Sequence, residues 1–432
     1  MILSTPLART SLMVKIPAGI RNVFVGAGAD LSIAFRNVLR HRRRSLSGIS
    51  SVSFGIIALL LAAGFIEWTF WAMREGTIRS GLGHVQIMRE GYLESGRADP
   101  FAFLLPNDSP ERKRIEQSEG VKSLAPRLSF SGLISKGEST LSFIGEGIDP
   151  ARESGLATAM RFSAGGPLAD DDPNSVILGE GLAANLGANV GDTVILLANT
   201  RSGGMNAVEV KVKGIFNTSS QAYDEAALRL PLATTQNLLR VKGVHLWVLL
   251  LEETRLTEST VASLRNNFPN AGLQFVPWSD LADFYNKTVV LFSKQVRVMK
   301  VIIALIIILS ISNTLTMSVL ERTSEIGTCL ALGNRRLQII RQFLGEGFAL
   351  GIVGGIVGLL AGGLLASLIS AIGIPMPPPP GMARAYTGEI RLTTGLALDA
   401  FVLAVLTTLA ASIYPAWRAS KMEIVDALRH SR

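Results

Sequence analysis

A glycine-containing turn near the middle of the chain is the residue pattern most suggestive of ligand chemistry. Gly179-x-Gly181-x-x-Ala184 follows the apolar run Val176-Ile177-Leu178 and opens a helix, as a dinucleotide-binding fingerprint does. The helix before Gly187 is barely two turns long, and a right-handed βαβ unit of about 30 residues does not fit before the next strand. We therefore interpret the segment as a tight strand-to-helix turn that binds no nucleotide.

Other residues that could catalyse a reaction or hold a metal ion are scattered. The sequence contains no G-x-x-x-x-G-K-[ST] motif, the loop with which P-loop ATPases hold phosphates. The single cysteine, Cys329, excludes an intramolecular disulfide. We expect no catalytic residue, no metal site and no cofactor, and a chain that is not an enzyme by itself. The histidines, which lack metal-ligand spacing, are His41, His84, His245 and His430.

Four apolar segments are long enough to cross a membrane. Val301 to Leu320 holds 20 residues without a charge, which is about 30 Å of helix, the thickness of a hydrocarbon core. The sequence therefore predicts transmembrane helices here and in the three similar segments. These are Leu46 to Phe70, Gly347 to Ala366 and Leu396 to Ile413.

Charge is divided unevenly along the chain. Residues 74–285 carry 20 Lys and Arg against 25 Asp and Glu, whereas the remainder carries 22 against 9. The basic excess lies beside the apolar segments, so we attribute the net charge of +8 to membrane orientation and not to nucleic-acid binding. Both termini are therefore expected on the cytoplasmic side, with residues 74–285 on the opposite side.

An amphipathic helix is predicted ahead of the first apolar segment. Its apolar face contains Leu31, Phe35 and Val38, and a basic cluster follows. We expect this helix to lie on the membrane surface, because basic side chains bind anionic headgroups. The anchoring residues are Arg40, Arg42, Arg43 and Arg44.

The region between the first two apolar segments reads as an α+β domain of some 210 residues. Short β-rich runs alternate there with Gly, Pro, Asn and Asp, and helical segments fall between them. The predicted strands are residues 84–88, 141–144, 175–178, 193–197, 208–212 and 246–250, and the predicted helices are 110–119, 232–239 and 257–268.

The third apolar segment contains glycines repeated at intervals of four residues. Small residues on one face of a helix let neighbouring backbones approach closely, so we expect both rows to pack against other helices. The rows are Gly347, Gly351 and Gly355, and Gly354, Gly358 and Gly362.

Several short motifs separate the second apolar segment from the third. They are Val319-Leu320-Glu321-Arg322, Glu325-Ile326-Gly327 and Ala331-Leu332-Gly333, followed by Ile340…Glu346. In this order between two membrane segments they resemble the FtsX-like ABC transporter permeases, the family of MacB, LolC and LolE. Residues 176–183 with Gly191-Asp192-Thr193-Val194 resemble the periplasmic core domain of MacB-like permeases. Residues 34–40 and 415–429 are similar to the two ends of the family's chains.

The resemblance implies four transmembrane helices plus an α+β extracytoplasmic domain of the MacB-like type. The expected divisions are a cytoplasmic N-terminus at 1–48, a first transmembrane helix at 49–72, the periplasmic domain at 73–288 and an FtsX-like domain at 289–432. Within the last, residues 321–344 would form a loop that docks on a separate ATPase. The resemblance assigns this coupling to Arg322, Glu325, Ile326, Gly327, Ala331 and Gly333.

The implied assembly contains two cytoplasmic ABC ATPase chains and a second permease, identical or different, in the bacterial inner membrane. A periplasmic carrier or adaptor protein is a further expected partner, besides the lipid bilayer. Arg322, Arg335 and Arg336 either pair with acids on the ATPase or fix the loop to lipid headgroups.

Three functions remain open within the family. Only about 45 residues precede the first apolar segment, which disfavours a fused ATPase of the MacB type, and the external domain is larger than expected for FtsX-type control of cell-wall hydrolases. Lipoprotein or lipid extraction of the LolC/LolE type is therefore the preferred interpretation. Peptide or drug efflux and a signalling scaffold are the alternatives.

Overall fold

The computed structural model describes residues 42–96, 98–158, 160–170, 172–218, 220–376 and 386–423. The predicted amphipathic helix, the anchoring residue Arg40 and the C-terminal segment from Ile424 lie outside these residues, as does the side chain of Arg42. The described chain forms two compact units. The helix unit contains residues up to Glu67, Ser293–Ile372 and residues from Glu389 onward, and the sheet unit contains Trp68–Phe292 and the described part of Gly373–Gly388.

Helices of very different length make up both units. The α-helices, in chain order, are α1 Arg42–Thr77, α2 Tyr92–Ser95, α3 Pro110–Glu116, α4 Pro150–Glu153, α5 Glu180–Leu186, α6 Gln221–Asp224, α7 Leu232–Leu239, α8 Thr257–Asn267, α9 Trp278–Leu281, α10 Asp283–Glu321, α11 Thr323–Ala331, α12 Arg336–Ile372 and α13 Thr394–Ser420. A π-helical turn, Ile78–Leu82, follows α1, and 3₁₀ turns occupy Pro100–Phe103 and Thr254–Leu256.

Four of the described helices, α1, α10, α12 and α13, are long and apolar enough to cross a membrane. They contain the four predicted segments and extend beyond them. α10 begins at Asp283, well before Val301, and α13 continues through Pro415 to Ser420, whereas the prediction ended it at Ile413. Hydropathy marks only the apolar centre of such a helix, because polar turns at either end continue the same hydrogen-bond ladder.

The glycines of α12 lie on two faces, each against a different helix of the helix unit. A Cβ atom at Gly354 would lie 2.7 Å from Val52 Cβ of α1. On the other face, a Cβ atom at Gly347 would lie 2.7 Å from Ser412 Cβ of α13. Real Cβ atoms do not approach so closely, so both contacts require glycine. The row facing α1 is Gly354, Gly358 and Gly362, and the row facing α13 is Gly347, Gly351 and Gly355.

Polar side chains add bonds between these packed helices. Ser53 of α1 donates its hydroxyl to the carbonyl of Gly354 at 3.0 Å, and Ser310 of α10 donates to the hydroxyl of Ser51 at 2.8 Å. Interhelical hydrogen bonds of this kind contribute on the order of 1 kcal/mol each in a membrane. They tie α1 to α10 and α12 within one bundle.

The sheet unit is built on a mixed, ten-stranded sheet. The strands of the unit are β1 Val85–Arg89, β2 Leu105–Pro106, β3 Val121–Lys136, β4 Ser139–Ile148, β5 Arg161–Gly165, β6 Ser175–Gly179, β7 Thr193–Asn199, β8 Met205–Asn217, β9 Ala227–Pro231, β10 Gly243–Val244, β11 Leu246–Leu251, β12 Leu273–Pro277, β13 Ile374–Met376 and β14 Tyr386–Gly388. The order along the main path of the large sheet is β12-β1-β11-β3-β4-β9-β6-β8-β5, and β7 pairs with both β3 and β8. The strands β2 and β10 pair separately, as do β13 and β14.

The long strand β3 belongs to two layers of the sheet unit. Its first half pairs with β11, and its second half pairs with β7 from Gly132↔Ala198 to Ser135↔Ile195. The path β3-β4-β9-β6-β8-β7 therefore returns to β3 and closes a barrel. Ile134, Phe143 and Val194 fill the barrel, while α3, α7 and α8 cover the open part of the sheet over a separate apolar core.

Each of the six predicted strand segments overlaps a strand, and the three predicted helices overlap α3, α7 and α8. The sequence pattern does not predict β3, β9 or β12. In β3, Pro126, Gly132 and several serines interrupt the alternation of apolar and polar residues on which strand prediction depends. The α+β character of the domain is thus predicted, but its longest strand is not.

The turn with the dinucleotide-like spacing is filled by the chain itself. α5 ends at Gly187, whose φ of 66° is left-handed. A Cβ atom at Gly181 would lie 2.9 Å from the Cα atom of Glu225. The small residue therefore makes room for a neighbouring segment of backbone, as the interpretation as a tight turn requires.

We predict that Gly358→Leu destabilises the helix unit. The added side chain would displace Ile56, whose Cβ lies 2.8 Å from a Cβ atom built at that glycine, at a cost of about 1–3 kcal/mol. Gly363→Leu is the matched control, because the nearest atom to its Cβ position is 4.0 Å away. Thermal unfolding in detergent measures both. An equal loss in the two variants would contradict the packing explanation.

Candidate functional site

α11 is a short helix between α10 and α12 that packs one face against its own helix unit. Ile326 is 5% exposed and lies in an apolar cluster with Val319, Phe343 and Ala416. Gly327 is buried as well. Two of the three residues of the Glu-Ile-Gly motif therefore hold α11 in place on its own chain, and neither is exposed.

Gly333 ends α11 by adopting a left-handed conformation, with φ of 94°. The amide of Asn334 donates to the carbonyl of Cys329 at 3.1 Å, and the amide of Gly333 donates to that of Leu330 at 3.1 Å. These two bonds form the Schellman motif, in which glycine is favoured because other residues are strained at positive φ. No heavy atom lies within 4 Å of a Cβ position at Gly333, so its conformation, and not crowding, requires glycine.

The start of α12 is capped from the other side. The amide of Arg335 donates to Gln338 Oε1 at 2.7 Å, and the amide of Gln338 donates to the carbonyl of Arg335 at 2.8 Å. This is the half of a capping box in which the third helical residue reaches back to the cap. Because both helix ends are closed by local bonds, the turn between α11 and α12 has a defined shape.

This turn presents eight consecutive exposed residues, Ala331–Gln338, which we call the exposed cap. Leu332 is 82% exposed and Leu337 is 56% exposed, and both flank the exposed Arg335 and Arg336. Large apolar side chains in a fixed turn, bordered by two cations, are suited to contact with another protein.

Arg322 lies between α10 and α11 and has two carboxylate partners within the chain. Its Nε atom donates to Glu325 Oε2 at 3.0 Å and its Nη1 atom to Glu346 Oε1 at 2.8 Å. Burial alone would lower the pKa of the Arg322 guanidinium, but the carboxylates of Glu346 and Glu325 raise it, and the net direction is upward. Arg322 therefore joins the start of α11, at Glu325, to α12, at Glu346.

A second ion pair lies nearby, between Arg44 of α1 and Glu321 at the end of α10. Arg43 is exposed, whereas Arg44 is half-buried. Of the residues expected to anchor the chain to lipid headgroups, Arg44 thus contacts an acid of its own chain.

The six predicted coupling residues have different environments in the structure. Glu325 and Ala331 are exposed, whereas Ile326 and Gly327 are buried and Arg322 is engaged with two acids. Gly333 is exposed but serves the turn. Sequence reasoning did not single out Leu332, although the Ala-Leu-Gly motif contains it. It also did not predict the pairing of Arg322 with Glu346, which is 24 residues away.

Comparison with known proteins bears on both units. Residues 48–267 match the MacB-like periplasmic core domain, and residues 297–424 match the C-terminal domain of FtsX-like permeases. The first match alone covers more than half of the chain. The chain belongs to the FtsX-like ABC transporter permeases.

Individual members of this family are distant relatives of the permease. The lipoprotein-releasing system transmembrane protein LolE of Haemophilus influenzae is 24% identical over 73% of this chain and 79% of its own. An uncharacterized ABC transporter permease of Methanocaldococcus jannaschii is 23% identical over 92% of this chain and 97% of its own. The macrolide export ATP-binding/permease protein MacB of Syntrophobacter fumaroxidans is 32% identical, over 34% of this chain and 20% of its own.

The two partners of Arg322 allow a matched test of the ion pairs. Glu346→Gln should destabilise the permease by about 3 kcal/mol, because Arg322, whose side chain is 12% exposed, loses the more buried of its two counter-charges, a carboxylate that is 8% exposed. Glu325→Gln is the control and should cost less than about 1 kcal/mol, because the Glu325 side chain is 54% exposed. Thermal unfolding of both variants in detergent measures the difference. Equal effects would show that burial does not distinguish the two contacts.

Proposed function

We propose that this permease transmits movement from a separate cytoplasmic ABC ATPase to its sheet unit, and that the work done is extraction or release of a lipoprotein or lipid. ATP hydrolysis takes place on the ATPase chain. The proposal rests first on membership of the family and second on the exposed cap, which offers a shaped contact surface between two apolar helices.

The exposed cap supports this proposal by its chemistry. Leu332 and Leu337 supply apolar contact area, and Arg335 and Arg336 supply positive charge for acids of the ATPase. The same arginines are suited to lipid headgroups, which remains the alternative role. Ala331 and Gly333 belong to the cap, and Gly333 sets its conformation. Glu325 is exposed on α11, which Ile326, Gly327 and Arg322 hold in position.

The proposed topology places both termini in the cytoplasm and the sheet unit in the periplasm of a bacterial inner membrane. The four long apolar helices and the charge division of residues 74–285 against the rest of the chain support it. The proposed divisions are 1–48, 49–72, 73–288 and 289–432, with the coupling loop at 321–344. Arg40, Arg42 and Arg43 are proposed to contact lipid headgroups.

The proposed assembly pairs the permease with a second permease, identical or different, and with two ATPase chains. A periplasmic carrier or adaptor protein would receive the cargo. The similarity to LolE over 73% of this chain favours lipoprotein or lipid handling. Macrolide or peptide efflux is the second candidate, favoured by the match to the MacB-like periplasmic core domain, and FtsX-like signalling is the third.

Reporter fusions test the topology. A fusion at Gly203 in the sheet unit should report the periplasm, and a fusion at Asn334 in the exposed cap should report the cytoplasm. The physical reason is the excess of arginine beside the apolar helices on the proposed inner side. Activity of both reporters on the same side of the membrane would contradict the proposal.

Substitutions in the exposed cap test the coupling. Leu332→Asp should remove apolar contact area and reduce ATP-driven cargo release about tenfold or more, as the loss of a central apolar interface residue does. Ala331→Trp should also reduce release, because the larger side chain would keep the ATPase from close contact. Glu325→Lys should reduce release because it reverses an exposed charge of α11. The measurement is ATP hydrolysis and release of a lipoprotein from proteoliposomes that contain permease and ATPase.

Ile372→Asp is the matched control, because Ile372 ends α12 at its far end and is 87% exposed, against 82% for Leu332. Release at the wild-type rate in Leu332→Asp would place the coupling contact elsewhere. Release of a macrolide but not of a lipoprotein by the wild-type complex would favour the efflux function.

A further inference from the structure

Four charged side chains lie together inside the sheet unit, three of them buried and the fourth, that of Glu146, partly buried. Arg127 of β3 forms two parallel bonds to Glu153 of α4, Nε to Oε1 at 2.6 Å and Nη2 to Oε2 at 2.8 Å. Arg229 of β9 lies opposite Glu146 of β4 in the strand register, with Nε 3.1 Å from Oε2. The side chains of both arginines are at most 3% exposed. Two cations and two anions therefore balance one another within the cluster.

The cluster also reaches outside itself, to the turn that follows α1. Arg127 donates from Nη1 to the carbonyl of Gly81, and Arg229 donates from Nη2 to the carbonyl of Ser80 at 3.4 Å. The last carbonyls of a helix lack intrahelical donors and carry the negative end of its dipole, so cations are favourable there. Buried guanidinium groups here bind the π-helical turn, Ile78–Leu82, that joins α1 to β1.

Gly81 is shaped for this contact. Its φ of 145° is outside the helical region, and a Cβ atom there would lie 2.8 Å from Arg229 Nη2. Both the conformation of the turn and the approach of the guanidinium group therefore require glycine at this position.

A second set of bonds holds the preceding turn of α1 in the same unit. Glu75 accepts from Thr254 Oγ1 at 2.9 Å, and Thr254 Oγ1 lies 3.1 Å from His84 Nε2. His84 Nδ1 accepts from the amide of Leu251 at 3.1 Å, which leaves the proton of a neutral imidazole on Nε2. Burial lowers the pKa of His84 to about 4, so this neutral form persists at ordinary pH.

We propose that Arg127 and Arg229 are positioning residues that fix the π-helical turn at the end of α1 to strands β3 and β9, so that a movement of α1 is transmitted to the barrel. This proposal rests on the proposed function. A cluster that served stability alone would need no acceptors beyond its own carboxylates, whereas here each arginine also donates to a backbone carbonyl of the turn after α1. The arginines thus act through α1 and not on the cargo.

The test uses the full-length permease and a variant that keeps the cluster neutral. Arg127→Met with Glu153→Leu removes one charge of each sign, and replacement of a buried ion pair by apolar residues of similar size is tolerated. Arg127→Lys is the second variant: its ammonium can pair with Glu153 but lacks the planar fork that also reaches Gly81. Lys136→Met, which breaks the partly exposed pair with Asp192, is the control within the same barrel.

Hydrogen exchange of the amides in residues 78–84 reports the attachment directly. The exchange rate should rise about tenfold or more in the double variant, and it should also rise in Arg127→Lys. The exchange rates of β6 and β9 should not change, and Lys136→Met should behave like the wild type. Exchange at the wild-type rate in the double variant would overturn the proposal. A faster exchange that extends over β6 and β9 would also overturn it, because it would show that the arginines have a purely structural role.

Cargo release per ATP hydrolysed, in the reconstituted complex, reports transmission. The double variant should keep its ATPase rate but lose most of the release. Full release by that variant would overturn the proposed role of the arginines. A wild-type complex that releases no cargo would overturn the proposed function and, with it, the proposed transmission of movement to the barrel. The exchange experiment would still decide whether the arginines hold the turn after α1.

Discussion

The helix unit depends on the close approach of α12 to α1 on one face and to α13 on the other. Between apolar helices in a membrane the hydrophobic effect gives no net attraction, because lipid tails are as apolar as leucine. Contact must therefore come from fit, and the two glycine rows supply it. The bond from Ser53 to the carbonyl of Gly354 illustrates the dependence, since a side chain at Gly354 would separate the two helices.

Buried ion pairs fix the position of segments that apolar packing alone leaves undetermined. Breaking a buried ion pair is costly, by several kcal/mol, although the intact pair adds little net stability compared with apolar residues. Such pairs therefore select one arrangement more than they strengthen it. Arg322 with Glu346 selects the position of α11 in the helix unit. Within the sheet unit, Arg127 and Arg229 select the conformation of the turn after α1.

Local patterns in the sequence predict the parts of this fold that depend on neighbours in the chain. The uncharged run from Val301 to Leu320 predicts a helix because a bilayer requires one of that length, and the alternation in residues 208–212 predicts a strand. β3 is missed because its residues serve two layers, so that no single period describes them. The glycine spacing predicts two packing faces on α12, but which helix meets which face depends on tertiary contacts. The pairing of Arg322 with Glu346 is likewise a product of the folded bundle.

The residues between α10 and α12 that carry the family resemblance have different structural roles. Ile326 and Gly327 are covered by the helix unit, and Gly333 supplies the left-handed residue that ends α11. These three residues therefore shape the loop and present no side chain to a partner. Under the proposed function, an ATPase would instead contact the side chains that the loop exposes. Discrimination between partners is a difference of affinities, so under the proposed function it would depend on exposed residues such as Leu332 and Leu337, together with the charges beside them. The residues that give the cap its shape and those that would set its specificity are therefore different, even within the Ala-Leu-Gly motif, where Gly333 ends α11 and Leu332 is exposed.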